Sequence, residues 1–309
     1  MTTPLLAAPV PDRSTRAARF TMVTVTYRSH AGAAECLDAM LDVARELADE
    51  VDWVFVDNSE DSSDARWLRG RAPGANVRVE QCPHNPGFAA SSNHGAATAR
   101  TGWVTFVNPD VLVDAASVRS VLEAVTRDTT GARSFAVGQE TAGRRHLGIG
   151  MMWGLWFVDR APSERSALVG PSGGFAVFDR STFLAAGGFD ESLFAWGEDV
   201  DLALRLQAKG VPCRPVATFF PHIGGHSVRD DRSLHARKVY LLARNRQQVA
   251  LRHFPVGRLV RFELMVMAVT VAKSVRHLRA GSLGAALRGT AVGLAVGLRE
   301  RRTGTGSGR

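Results

Sequence analysis

The chain has 309 residues and is 45% hydrophobic, enough to bury a sizeable core in one large domain or in a domain with an appendage. Its three cysteines, Cys36, Cys82 and Cys213, are odd in number, far apart and form no CxxC pair, which excludes a disulfide framework or a cysteine zinc site and points to free thiols in a reducing compartment. The formal charge of +8 is uneven: Arg252–Arg309 carries +9 and the preceding 251 residues carry −1, so the basic character belongs to the C-terminal tail.

Taken in chain order, residues 1–19 read as a disordered lead-in, with a short apolar patch broken by prolines and no signal-peptide pattern. Thr21–Thr26, "TMVTVT", predicts a buried strand. Ala34–Leu47 follows with Leu37, Met40, Leu41, Ala44 and Leu47 on one helical face. Trp53–Val56 is a second strand that ends in the turn-rich acidic loop "DNSEDSSD". A short helix over Asp64–Leu68 leads to a third strand, Val77–Val79. "HNPGFAASSNHGAATAR" opens a helix after a Pro-Gly turn, and Trp103–Val107 is a fourth strand. Strands alternating with helices predict an α/β fold with a mostly parallel sheet covered on both faces.

The middle, from Phe135 to Phe178, is less periodic and predicts short strands with a long loop, "GPSGGFAVF" leading into another strand. Ser181–Ala186 and Asp199–Lys209 read as helices joined by the loop "FDESLFAWGE". Arg214–Phe220 is a late strand and Leu234–His253 a long helix. Beyond Pro255 the chain is helical and amphipathic to about residue 300, and "RRTGTGSGR" is a flexible end. The longest apolar runs of this tail, Leu264–Ala272 and Gly289–Leu298, are about half of the ~20 residues a membrane span needs. A basic tail suits nucleic acid or an anionic membrane surface, and its scarcity of aromatics for base stacking favours the membrane.

Ligands of open parallel sheets sit at the carboxyl ends of the strands. Here those ends read "TYRS", "DNS", "HNPGF" and "NPD", so Asp57 leaves the second strand and Asp110 the fourth. A carboxylate at the mouth of a buried strand is costly unless something pairs with it. GxGxxG is missing after the first strand, which sets NAD binding aside, and no P-loop is present; a nucleotide could still be held by carboxylates and a metal, without a glycine cradle. A second cluster, Glu198, Asp199 and Asp201, crowds a helix start, where acids suit the dipole. Asp201 also stands four residues before Arg205, as in a surface ion pair. The aromatics before Glu198 and Asp199 place those two acids beside an apolar pocket, where burial raises a carboxylate toward the range of a general base. The third cluster is "PHIGGHSVRDD". A histidine beside glycine at a strand end is a ligand candidate, and Asp110 with His222 makes a mixed oxygen and nitrogen pair suited to Mn²⁺ or Mg²⁺.

The ordered set "VTVTYRS", "VDNS", "NPGFAASSN", "NPDV", "GGFDESLFAWGEDVDLALRL", "HIGGHS" and "ARNR" resembles the family 2 glycosyltransferases with the A-type nucleotide-sugar fold, and within them the bacterial rhamnosyltransferase-like branch. The resemblance covers Thr21 to Pro255, which makes 20–255 the catalytic domain and 256–300 a basic helical region. It implies that Asp57 reads the nucleotide base and that Thr26, Tyr27, Asn85, Gly87, Asn93, Asn108 and Asp110 bind the nucleotide sugar. Asp110 would hold the metal as the second acid of the family's DxD, whose first acid is replaced by Asn108. His222 would assist at the metal or diphosphate, with His226 as its rival. Asp199 would be the catalytic base, with Glu198 as the rival, and Arg244 and Asn245 would lie near the site.

The implied reaction is inverting transfer from a nucleotide-sugar donor, dTDP-rhamnose by the branch resembled, to a cell-wall or polysaccharide acceptor that could be lipid-linked. Galactose, mannose and N-acetylglucosamine are the other donor sugars, and a non-catalytic surface protein that binds glycan or lipid is the rival of another class. Arg144–Pro171 would shape acceptor choice. The implied location is the cytoplasm, peripheral on the inner face of the cell membrane, with the tail docked on anionic lipid or packed on the catalytic domain or a second subunit of a homo-oligomer.

Overall fold

The computed structural model describes residues 20–72, 74–152, 156–161, 167–223, 232–277 and 280–303. The lead-in, the extreme C-terminus and His226 lie outside them.

Three strands begin the sheet: β1 (Phe20–Thr26), β2 (Val51–Asp57) and β3 (Val77–Gln81). Between them run α1 (His30–Glu46) and α2 (Ser63–Arg69). Helix α3 (Phe88–Thr98) then leads to β4 (Trp103–Val107) and α4 (Ala115–Thr126). All seven residues of β1 are buried, because a central strand of a parallel sheet is covered on both faces. Its polar side chains are paired inside: the Trp53 indole donates to Thr24 Oγ1 at 3.0 Å, and Thr21 and Thr101 hydroxyls share a hydrogen bond of 2.8 Å. Helix α4 was not evident as an element in the sequence, although Val118, Val121, Leu122 and Val125 form its buried face and Asp114 caps it through Ser117 N–H.

The second half adds β5 (Ser134–Thr141), β6 (Arg144–Leu147), a small hairpin of β7 (Ile149–Met152) and β8 (Trp156–Asp159), and β9 (Phe175–Asp179). Helix α5 (Arg180–Ala185), a 3₁₀ turn at Glu191–Leu193 and α6 (Glu198–Ala208) precede β10 (Cys213–Pro221). The sheet runs β10-β5-β9-β4-β1-β2-β3, with β6 beside β5. Strands β3, β2, β1 and β4 are parallel, β9 is antiparallel to both β4 and β5, and β10 is parallel to β5. Strand order reverses at β1, between β2 and β4, which opens a crevice at the carboxyl ends of β1 and β4.

Three helices close the chain: α7 (Arg232–His253), α8 (Val256–His277) and α9 (Ala280–Thr303). Helix α9 packs closely on α7 through Gly289, Gly293 and Gly297. A Cβ at the first two would stand 2.3 Å from the Tyr240 and Arg244 carbonyl oxygens, and one at the third 2.6 Å from the Leu251 side chain. No helix among the described residues is long and apolar enough to cross a membrane.

Candidate active site

A cavity of about 690 Å³ lies over the crevice. Thr26 and Tyr27 reach it from β1, Asn58 from β2, Asn85 from the loop after β3, and Asn108 and Asp110 from β4. The Thr26 hydroxyl is buried and has no hydrogen-bond partner among the described residues, so a polar atom at the head of β1 is left to the cavity.

The chain after β4 turns back and joins the end of β10. Leu112 N–H donates to Pro221 C=O at 2.9 Å, Ile223 N–H donates to Asp110 C=O at 3.0 Å, and Val111 bridges His222. This register brings two side chains 112 positions apart into contact, with His222 Nε2 3.0 Å from Asp110 Oδ1. Both are largely buried, and both line the cavity beside Asn108. Among the described residues no group of three or more His, Cys, Asp or Glu could hold a metal ion by itself. The pair is nevertheless a fit donor set for Mn²⁺ or Mg²⁺, hard cations that take one or two protein ligands and complete their shell with water and substrate phosphate.

Glu198 and Asp199 face the same cavity from the first turn of α6. The loop before them is strained: Phe194 and Trp196 have φ of 50° and 66°, and Gly197 has 102°. What holds it is Asn245 of α7, a buried side chain whose amide donates to the Leu193, Ala195 and Trp196 carbonyls at 2.6, 2.8 and 2.8 Å. Arg244 adds a hydrogen bond of 3.2 Å to Ser192 C=O. The "ARNR" motif therefore positions the loop that carries the two acids. The half-buried Asp199 accepts Gly173 N–H and Val200 N–H, both at 2.8 Å, which orient its carboxylate.

Burial and the neighbouring Asp199 carboxylate push the Glu198 pKa up from 4.5 to about 8, and Glu198 Oε2 has no hydrogen-bond partner among the described residues. Desolvation also raises Asp199, against its two N–H donors. The sign for stability follows from linkage. A carboxyl that keeps its proton when folded and loses it near pH 4.5 when unfolded makes the fold progressively less stable as pH rises from about 4.5 to about 8. Glu198→Gln is expected to flatten that decline. Melting temperatures of both proteins across pH 5 to pH 9 check it, and parallel curves would show that Glu198 is not protonated in the folded state.

The family model for glycosyl transferase family 2 matches residues 21–185, more than half of the chain. The chain belongs to that family. Solved glycosyltransferases share its A-type fold. A mannosyltransferase from Pyrobaculum calidifontis, solved with GDP-Man and Mn²⁺, superposes with a TM-score of 0.55 at 18% identity, over 96% of this chain and 85% of that one. GalNAc-T7, solved with UDP, GalNAc and Mn²⁺, gives 0.54 at 12% identity over 77% of this chain and 48% of that one. Residues 1-349 of TarS from S. aureus, solved with UDP-GlcNAc, give 0.50 at 13% identity over 93% and 92%. At such identities the likeness speaks for the fold. No curated protein sequence matches this glycosyltransferase.

Four further residues singled out in the sequence of this family 2 chain are tied into the fold. Asp57 is fully buried and turned away from the cavity. Its oxygens accept Ser59 N–H and Ala65 N–H, both at 2.7 Å, so it builds the β2–α2 turn and leaves Asn58 at the wall. Asn93 does not line the cavity either: its amide and carbonyl pair with Phe189 O and N, both at 2.8 Å, and tie α3 to the "GGFDE" loop. Gly87 is not among the residues that line the cavity, and a Cβ there, at φ 101°, would stand 2.5 Å from the Phe194 carbonyl. Asp201 is no surface partner of Arg205. It is buried, 2.8 Å from Arg205 Nε, 2.9 Å from His253 Nε2 and 3.5 Å from Arg252 Nη1.

Proposed function

We propose that this glycosyltransferase is an inverting enzyme that moves a sugar from a nucleoside-diphosphate donor to an acceptor hydroxyl in one displacement. The observation that carries the reading is that one cavity receives both the Asp110–His222 pair and the Glu198–Asp199 pair. Asp110 and His222, with the weaker Asn108 carboxamide beside them, would hold Mn²⁺ or Mg²⁺. When bound, the cation supplies charge neutralisation for the departing diphosphate. Thr26, Tyr27, Asn58 and Asn85 line the strand-end side and receive the nucleotide sugar. Two carboxyls this close do not both ionise readily; Asp199 accepts two N–H donors, which favour its charged form, whereas Glu198 Oε2 has no hydrogen-bond partner among the described residues. Asp199 is then the ionised base. It takes the acceptor proton as that oxygen bonds to the anomeric carbon and the bond to the diphosphate oxygen breaks.

The finer assignments are dTDP-rhamnose as donor, on the branch resembled, and a cell-wall or polysaccharide acceptor, shaped in part by the β6–β8 region. A panel of nucleotide sugars scored by thermal shift with Mn²⁺ tests the donor, since a ligand of the folded state raises the melting temperature. Turnover of a uridine-diphosphate sugar with none of dTDP-rhamnose would replace it. Asp110→Ala is expected to weaken Mn²⁺-dependent nucleoside-diphosphate binding by on the order of 10²-fold, with the fold intact. Calorimetry checks this, and unchanged affinity removes Asp110 from the metal.

We also propose that the tail docks on anionic membrane without spanning it. Val256, Val260 and Leu264 are exposed at successive turns of α8, and the segment from Arg252 carries +9. Full-length protein is expected to float with anionic liposomes and a chain ending at Pro255 to stay behind. Equal behaviour of the two would rule out the tail as anchor.

A further inference from the structure

The segment that leads into β9 ends in Ser172, Gly173 and Gly174, and all three line the cavity. Two anchors fix them. Gln139 of β5 is buried and donates from Nε2 to Ser172 Oγ at 2.7 Å. Asn108 N–H, just past β4, donates to Gly174 C=O at 2.9 Å. A Cβ on Gly174 would stand 1.9 Å from Gln139 Oε1, so the Gln139 side chain fills the space that any residue but glycine would take. Between the two anchors, Gly173 N–H donates to Asp199 Oδ2 at 2.8 Å. A buried amide is costly unless it is paired, and an apolar side chain would fill the same space without that cost. What the amide of Gln139 adds is a fixed Ser172. The need for a fixed Gly173 N–H is electrostatic. Burial and then the Asp159 carboxylate of β8 push Asp199 up, and Glu198 is its other acidic neighbour. The N–H groups of Gly173 and Val200 act against them. The Val200 donor belongs to α6 itself, whereas Gly173 comes from another segment and depends on packing elsewhere.

We propose that Gln139 is a positioning residue for the reaction: through Ser172 it sets the Gly173 N–H that aims and holds the Asp199 carboxylate. The inference rests on the transferase reading above, with Asp199 as base. Gln139 acts through its neighbours and not on the reacting atoms. The same short segment takes the Asn108 hydrogen bond, so it joins the strand end on the metal side of the cavity to the base. Without the Gln139 amide the loop keeps one anchor of two. A hydrogen bond weakens steeply with angle, so a small drift of Gly173 costs Asp199 its outside donor. Asp199 then holds its proton more tightly and is no longer aimed.

The test follows Asp199 directly, by ¹³C NMR of the full-length protein labelled at the aspartate carboxyl carbons. The Asp199 signal is the one missing from Asp199→Asn. Gln139→Met, Ser172→Ala and the double variant are titrated from pH 4 to pH 9 beside the wild type. Each single variant is expected to move the Asp199 midpoint up by about one pH unit, a tenfold change in proton affinity and the worth of one hydrogen bond. The double variant should move it no further, because both changes break the same link. Ser172→Thr keeps the hydroxyl and should keep the wild-type midpoint. Binding of dTDP with Mn²⁺ should be alike in all of them. A midpoint that stays in place in both single variants overturns the proposal, and a lower melting temperature beside it reduces Gln139 to packing. Shifts that add in the double variant overturn it too, since Gln139 and Ser172 would then act separately. An unmoved midpoint beside an inactive Asp199→Asn sinks the Gln139 link and leaves the base reading standing. Transfer by Asp199→Asn at the wild-type rate sinks the base reading, and the proposal with it, whatever the midpoints.

Discussion

Asp199→Asn is expected to lower kcat by about 10²–10⁴-fold, the usual worth of a positioned general base, while donor affinity stays as in the wild type. The reason is local. The Asp199 carboxylate starts α6, is half-buried, and is oriented by the Gly173 and Val200 N–H groups at the edge of the cavity. An amide fills nearly the same space, so the strained loop and its Asn245 clamp should survive. It cannot take a proton, and its NH₂ group must face one of the two N–H donors, at a stability cost of about 1–3 kcal/mol. That cost shows in melting temperature and not in donor affinity, which separates the two effects. Glu198→Gln is the control. If Glu198 already carries a proton at pH 7, the amide should turn over near the wild-type rate. Steady-state kinetics with donor titration on both variants decide the assignment. An active Asp199→Asn beside a dead Glu198→Gln would move the base by one residue.

Much of this arrangement is legible in the sequence because it is set by short-range pattern. β-branched runs mark β1, β2 and β4, and the polar residues that end each run mark the sheet edge where the cavity lies. The Asp110–His222 pair is legible only as two candidates. Their contact depends on the β4 turn adding to the end of β10, a pairing that no local signal encodes. Three residues share one ambiguity. Asp57, Asn93 and Asp201 are polar side chains at the right edge of the fold, and spacing cannot tell one that faces a ligand from one that satisfies buried backbone or charge. Asn245 shows the converse. Its neighbourhood looked merely close to the site, and only the loop with Phe194 and Trp196 at positive φ explains why an amide donor is needed there.

Asp201→Asn is expected to destabilise the protein by about 3–5 kcal/mol, the cost of breaking a buried ion pair from one side. The carboxylate is buried where α6 meets α7, and it faces Arg205 of its own helix and both Arg252 and His253 from the end of α7. Arg252 is further held by Asp190 and Glu300, so α6, α7, α9 and the "FDE" loop meet at this one charge cluster. Removing the Asp201 charge leaves Arg205 and part of the Arg252 charge buried without compensation, although the amide keeps its shape. For a chain of this size the loss corresponds to a drop in melting temperature of roughly 10 °C. The pH dependence has a definite sign. His253 and Arg205 hold the Asp201 pKa down from 3.8 to about 2, so its contribution is complete above about pH 4 and disappears as pH falls through 2. Denaturant titrations of wild type and variant at pH 7 and pH 3 measure both effects: the gap in stability should be wide at pH 7 and narrower at pH 3. A gap under about 1 kcal/mol at pH 7, the median worth of a surface pair, would return Asp201 to the exposed ion pair that its spacing from Arg205 first suggests.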